Sequence, residues 1–218
     1  MESTHSNQNA SSEKPGRLFK SEFLESLTRT HIAVPLTVFY GSAFVILIYS
    51  FYLGAIAPLA NLYLFMGGVL LFTLIEYLVH RFAFHIEMDT EAKAKFQYFV
   101  HGAHHAFPRD KSRLAMPPIA SILLAVGFFA LYKVIMGYNG LPFTAGFLSG
   151  YAIYLCIHYS IHSFRPPKNF LKILWRHHAM HHFKQQNAAF GVSSPLWDVV
   201  FNTMPDSRKE KLSQTDQK

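Results

Sequence analysis

Ten of the chain's 13 histidines fall into four short groups. His80 and His85 stand in HRFAFH, His101, His104 and His105 in HGAHH, His158 and His162 in HYSIH, and His178, His181 and His182 in HAMHH. Neutral imidazole ligates zinc, copper, iron and nickel. A single such pair on a helix is more often packing or surface than a site. Four groups together are more than one transition metal can use; they suit two ions at about four to five ligands each, with a position left open for chemistry. The lone cysteine, Cys156, excludes thiolate clusters and an internal disulfide framework. No cluster of carboxylates accompanies the histidines, which argues against a carboxylate-bridged centre of the ferritin type.

Spacing then constrains the elements that carry these rings. Residues at i, i+3 and i+4 share one helical face, so each H-x2-HH group can present three imidazoles together, as can His158 and His162. In KNFLKILWRHHAMHH, Leu171, Leu174 and Trp175 lie seven residues before His178, His181 and His182, so an apolar face runs into the ligand face. His177 is turned off that face and reads as a spare or supporting residue. His80 and His85 are five apart, about 140° around an ideal helix, and reach one centre only if the helix ends or bends between them. Metal-bound imidazoles need partners for their free N–H groups. Glu76, one turn before His80 in an apolar stretch, is expected to accept such an N–H, since an ionisable group there is costly. Asn187 and Asp198 are weaker candidates for the same role. Asp198 also suits a short helix in PLWDVVF, with Ser194 as its cap and Pro195 in its first position.

Half of the 218 residues are hydrophobic and 15% are charged, against about 25% in a soluble domain. Four apolar stretches, about 32–53, 58–80, 117–137 and 142–162, each approach the roughly 20 residues that cross a bilayer as a helix. Pro58, Pro117 and Pro142 stand where a first helical turn needs no N–H. Gly146 and Gly150, and the Gly67–Gly68 pair, would let helices approach closely. The expected fold is an all-α integral membrane protein, with four transmembrane helices as two hairpins and a cytoplasmic helical cap carrying a dimetal site.

Charge sets the orientation. Of the 20 Lys and Arg residues, 19 lie in the N-terminal segment, in the loop 81–115 or in the tail after 162; Lys133 alone sits elsewhere, placed to snorkel. The positive-inside rule puts both termini and the central loop in the cytoplasm. All four histidine groups land on that side. The formal charge of +7 is thus a topology signal and not a nucleic-acid footprint. Residues 1–16 read as a disordered tail without a signal peptide, and 205–218 as a polar tail. Residues 17–30 read as an amphipathic helix, either lying in the membrane interface with Phe19, Phe23, Leu24 and Leu27 on one face or docked on the rest of the chain. The remainder, 31–204, forms the membrane domain.

EYLVHRFAFH (76–85), HGAHHAFPRDKSRLAMPP (101–118), HYSIH (158–162) and RHHAMHHFKQQNAAFGVSSPLWDVVFNT (176–203) resemble the fatty acid hydroxylase/sterol desaturase superfamily, closest to fatty acid 2-hydroxylases. The resemblance spans about 60–204. It implies two irons on the ten histidines, O2 as co-substrate, and hydroxylation at C2 of an acyl chain; zinc is an expected replacement for iron in purified protein. Many eukaryotic members carry a fused cytochrome b5-type domain. The short N-terminus here has no His-Pro-Gly-Gly signature, so a separate donor, cytochrome b5-like or a ferredoxin, is expected, as is a bacterial inner membrane in preference to the endoplasmic reticulum.

Breaking an unactivated C–H bond needs a metal-based oxidant, so no side chain is cast as principal acid or base. The substrate is expected to be a membrane lipid. Tyr77, Phe82, Phe84, Tyr154 and Tyr159 are candidates for an acyl channel or an aromatic belt. Arg109, Lys111 and Arg113 either hold a lipid headgroup or simply contribute surface charge. Rival readings are a carotenoid or sterol hydroxylase or desaturase and, more remotely, a metal transporter, which would need polar ligands part-way through the bilayer.

Overall fold

A computed structural model describes residues 18–206, and these contain helices and no strands. The tail expected at 1–16 lies outside the described residues, as does the tail expected at 205–218 apart from Pro205 and Asp206. Helix α1 (Glu22–Ser26) is short; α2 (Ala33–Leu53) and α3 (Pro58–Leu78) form a hairpin. Gly54 closes α2 with φ of 60°, the left-handed conformation that glycine adopts without a Cβ penalty, and Pro58 opens α3. Then come α4 (Glu91–Gln97), α5 (Ala103–Ala106), α6 (Pro118–Met136), α7 (Gly140–Ser163), α8 (Lys172–Phe183) and α9 (Leu196–Val200).

Three stretches are long and apolar enough to cross a membrane: 33–53, 58–84 and 111–163. The third contains both α6 and α7, joined by a tight turn at Gly137–Asn139. These two helices fold back on each other: Tyr132 meets Phe143 and Phe147 with ring centroids 4.9 and 5.4 Å apart. Helix α7 is the central post. Its Tyr151 packs on Phe39 of α2 at 4.4 Å and on Phe72 of α3 at 5.2 Å. Small residues allow the approach. A Cβ on Gly146 would lie 1.9 Å from the Phe65 carbonyl oxygen, and one on Gly68 would lie 2.1 Å from that of Phe143. Between α2 and α3 the buried Ser50 hydroxyl donates to Asn61 Oδ1 at 2.7 Å. The outer faces are apolar, with Tyr52 and Val134 each 84% exposed. Such faces belong against lipid. Near the end of α6, the Lys133 ammonium sits 4.0 Å from the centre of the Tyr138 ring.

The segment around α1 is docked through its polar side. The Glu25 carboxylate accepts from the Leu18 and Phe19 N–H groups and pairs with Arg29 and Arg113. The Thr30 N–H donates to the Ser112 carbonyl at 2.9 Å. Phe23, Leu24 and Leu27 remain exposed on the other side.

Candidate metal centre

Below α3 the backbone widens. Val79–Phe84 forms a π-helical turn, as does Tyr98–Gly102 before α5. With i→i+5 bonding, five residues make about one turn, and such turns frequently mark functional sites. This supplies the bend that His80 and His85 require: their ring centroids are 5.1 Å apart.

The ten histidines separate into two groups of five. His80, His85, His101, His105 and His181 form the first; His104, His158, His162, His178 and His182 form the second. Within each group every residue offers a ligand nitrogen within 4.8 Å of the others. Nε2–Nε2 approaches include 2.9 Å (His181–His85), 3.0 Å (His105–His101) and 3.1 Å (His80–His101) in the first group. In the second they include 2.8 Å (His162–His178), 3.0 Å (His158–His104) and 3.1 Å (His104–His182). Two imidazoles bound at right angles to one ion, each about 2.1 Å from it, have nitrogens about 3.0 Å apart. The donor set and its spacing therefore fit a transition metal in each group.

The groups interlock. Each H-x2-HH triplet keeps one helical face but divides its rings. His101 and His105 serve the first group and His104 the second; His178 and His182 serve the second and His181 the first. The pairs at the membrane helix ends are not divided: His80 and His85 belong to the first group, His158 and His162 to the second.

Orientation comes from the segment between α8 and α9. The Ala188 carbonyl lies 2.8 Å from His181 Nδ1, and the Phe190 carbonyl 2.5 Å from His80 Nδ1. A carbonyl only accepts, so both Nδ1 atoms carry the proton and both Nε2 atoms face the group as bare lone pairs. Glu76 does not meet an imidazole, contrary to the expectation from sequence. Its Oε1 accepts the Val192 and Ser193 N–H groups at 2.7 and 2.8 Å, and its Oε2 the Ser193 hydroxyl at 2.5 Å. Asp198 is fully buried and takes the Phe190 and Gly191 N–H groups, the Thr203 hydroxyl and His177 Nε2, at 2.7–3.0 Å. Burial alone would raise its carboxyl, but the hydrogen bonds from His177, Thr203 and Gly191 hold it below the usual range. His177 is thus turned away from both groups, and its partner is Asp198. Asn187 is exposed in the following turn and makes no hydrogen bond to a histidine among the described residues. The Ser194 hydroxyl accepts the Leu196 N–H at the start of α9, at 3.1 Å.

The rings are held in the neutral form that ligation needs. Burial lowers His85 and His105 to about 4 and His181 to about 3. Burial and neighbouring imidazoles push His101, His104, His178 and His182 down as well.

All ten histidines fall within residues 65–203, which match the family model described as fatty acid hydroxylase. The chain belongs to the fatty acid hydroxylase family. A dihydroceramide fatty acyl 2-hydroxylase of Arabidopsis thaliana is 35% identical over 206 residues, covering 91% of this chain and 84% of that one. The human fatty acid 2-hydroxylase is 35% identical over 92% of this chain and 60% of its own length. A solved structure of full-length scs7p, in which only the hydroxylase domain is visible, superposes with a TM-score of 0.77 at 35% identity. It covers 85% of this chain and 71% of that one. Membership makes this hydroxylase a monooxygenase.

Two cavities of the hydroxylase reach the histidines, one at each group. An apolar pocket of about 260 Å³ between α3, α6 and α7 is walled by Phe72, Leu124, Phe128, Phe147 and Tyr154 and reaches His80 of the first group. Phe84 also lines it, whereas Tyr77 is buried with its hydroxyl on Thr203, and Phe82 and Tyr159 are not among its walls. A cleft of about 1050 Å³ reaches His162, His178 and His182 of the second group. Its rim carries Arg109, Lys111, Arg165, Lys172 and Arg176 among exposed Phe164, Phe170 and Phe183. Arg113 is not on that rim: its side chain is 6% exposed and engages Glu25, Asp110 and Thr28. Sequence alone placed it with Arg109 and Lys111 because charge gives no sign of which arginine finds a buried carboxylate.

Proposed function

We propose that this hydroxylase adds a hydroxyl group at C2 of the fatty acyl chain of a membrane lipid. One oxygen atom of O2 enters the C–H bond and the other leaves as water, with two electrons and two protons supplied. The observation that carries this reading is that an apolar pocket reaches one histidine group and a cleft with basic residues on its rim reaches the other. C2 is the carbon at the border between polar head and apolar tail, so a lipid with its tail toward Phe72 and Phe147 and its head toward Arg109 and Lys111 presents that carbon to the histidines. The relatives' names, fatty acyl and fatty acid 2-hydroxylase, support the same class.

The ligand assignment is part of the proposal: His80, His85, His101, His105 and His181 hold one iron, and His104, His158, His162, His178 and His182 hold the other. When bound, the irons supply the oxidant for the C–H bond. The chain's own residues orient the imidazoles, keep them neutral, exclude water with the aromatic walls of the pocket, and seat the lipid. Zinc competes well for the same imidazoles. Four crossings, by α2, α3, α6 and α7, with both termini and the histidines on the cytoplasmic side, agree with the basic residues at that end. Exposed Phe23, Leu24 and Leu27 suit an interfacial position for the α1 segment. The electrons come from a separate protein.

The test is product analysis. Protein reconstituted with iron, oxygen and a reductant should yield acyl lipid heavier by one oxygen, with the hydroxyl at C2. A product altered in its sterol or carotenoid ring, or hydroxylated elsewhere on the chain, would overturn the assignment.

A further inference from the structure

The two histidine groups are not equally supported. The first is fixed from behind by backbone: the Ala188 and Phe190 carbonyls lock the tautomer and direction of His181 and His80. In the second, His158 alone meets backbone in this way, at Leu114, while His104, His178 and His182 have buried Nδ1 atoms that meet no hydrogen-bond partner. In the first group only His105 shares that condition.

The carbonyls that do this work sit on a segment gripped at both ends by carboxylates. Asp198 takes the N–H groups of Phe190 and Gly191, and Glu76 those of Val192 and Ser193, so four consecutive N–H groups are accounted for. The segment is tightly seated. Ala189 has φ of 60°, and a Cβ on Gly191 would fall 2.2 Å from the Ser194 carbonyl oxygen and 2.9 Å from Asp198 Oδ2. A conformation that costs energy locally persists when its surroundings over-determine it. Here those surroundings are Asp198, Glu76 and the Thr203 carbonyl, which accepts the Ala189 N–H at 2.9 Å.

We propose that Asp198 and Glu76 are positioning residues acting through segment 188–193, and that they make the His80 group the tighter of two metal sites, so that the two ions bind in order. The inference rests on the ligand assignment proposed above. A pre-oriented imidazole has already lost the freedom that binding would otherwise remove. Partners behind metal ligands typically contribute 10–100-fold in affinity. In the second group His104, His178 and His182 are held by packing without such partners, so more of their orientation is left for the ion to fix.

The experiment is titration of metal-free protein in detergent with Co(II), followed by absorption and by ion counting. Wild-type protein should bind in two phases whose midpoints differ at least tenfold. His181→Ala should abolish the tighter phase and His178→Ala the weaker one, which assigns each phase to its group. Asp198→Asn replaces one acceptor oxygen with an NH2 group, so a backbone N–H loses its partner. It should weaken the tighter phase 10–100-fold and leave the weaker unchanged. Should that variant fail to fold, Ser193→Ala, which loosens the Glu76 end alone, should move the same phase in the same direction. Equal midpoints in the wild type, or a variant that shifts both phases together, would overturn the proposal. Two phases that ignore both His→Ala changes would instead overturn the ligand assignment.

Discussion

The His105 and His182 rings stack with centroids 4.1 Å apart and planes 13° from parallel, and they belong to different groups of five. They form a seam between two centres built from the same two helical segments. Each triplet gives its i and i+4 rings to one side and its i+3 ring to the other, so neither centre can assemble without both segments. Removing either ring should cost its own group first. His105→Ala and His182→Ala should each retain about one ion where the wild type holds two, with turnover lost, and metal analysis against activity checks this. Full occupancy in either variant would remove that residue from the ligand set.

The depressed imidazoles set a pH dependence. Burial holds His85 and His105 at about 4 and His181 at about 3, below the ordinary 6.5. Between those limits the unfolded chain binds more protons than the folded one, so stability falls as pH drops from about 6.5 toward 4 and is flat above about 7. At pH 7 the rings are already neutral. Metal binding should therefore release almost no protons, measured as equal calorimetric enthalpies in buffers of different ionisation enthalpy.

Arg109, Lys111 and Arg113 should divide into two behaviours. Arg109→Ala and Lys111→Ala, on the cleft rim, should raise KM several-fold for an acyl lipid while leaving kcat and melting temperature near wild type. Arg113→Ala removes one of the two arginines on Glu25, along with its contacts to Asp110 and Thr28, and should destabilise by about 1.5–3 kcal/mol, the range for a hydrogen bond to a charged group. Thermal melts alongside steady-state kinetics separate the two.

Helix packing offers a test independent of the metals. Gly146→Val would push side-chain atoms into the Phe65 backbone, which cannot move without displacing α3. Overpacking costs typically about 1–3 kcal/mol, so the melting temperature should fall, whereas Gly127→Ala, in the interior of α6 with open space around it, should hold or raise it.

These cases show what the sequence carried. Histidine spacing and hydrophobic length are periodic signals, so the four clusters, the apolar stretches and the small-residue contacts at Gly68 and Gly146 were all legible. The five-residue gap between His80 and His85 even announced a distortion, although not that it is a π turn. The division of His104 from His101 and His105 was not legible, because helical phase defines a face and not which of two adjacent ions each ring serves. Nor were the partners of His80 and His181, since a backbone carbonyl has no residue signature. Glu76 stood out in the sequence for a sound reason, the cost of an acid among apolar residues. Its partner proved to be peptide N–H groups at 192 and 193, brought close only by the fold.

The most direct test of the account is a count of metal per chain after anaerobic reconstitution with ferrous iron, with the coordination shell read by X-ray absorption. Two irons per chain, each ligated chiefly by imidazole nitrogen at about 2.1 Å, is the predicted result. A single iron per chain, or a shell dominated by oxygen, would contradict it.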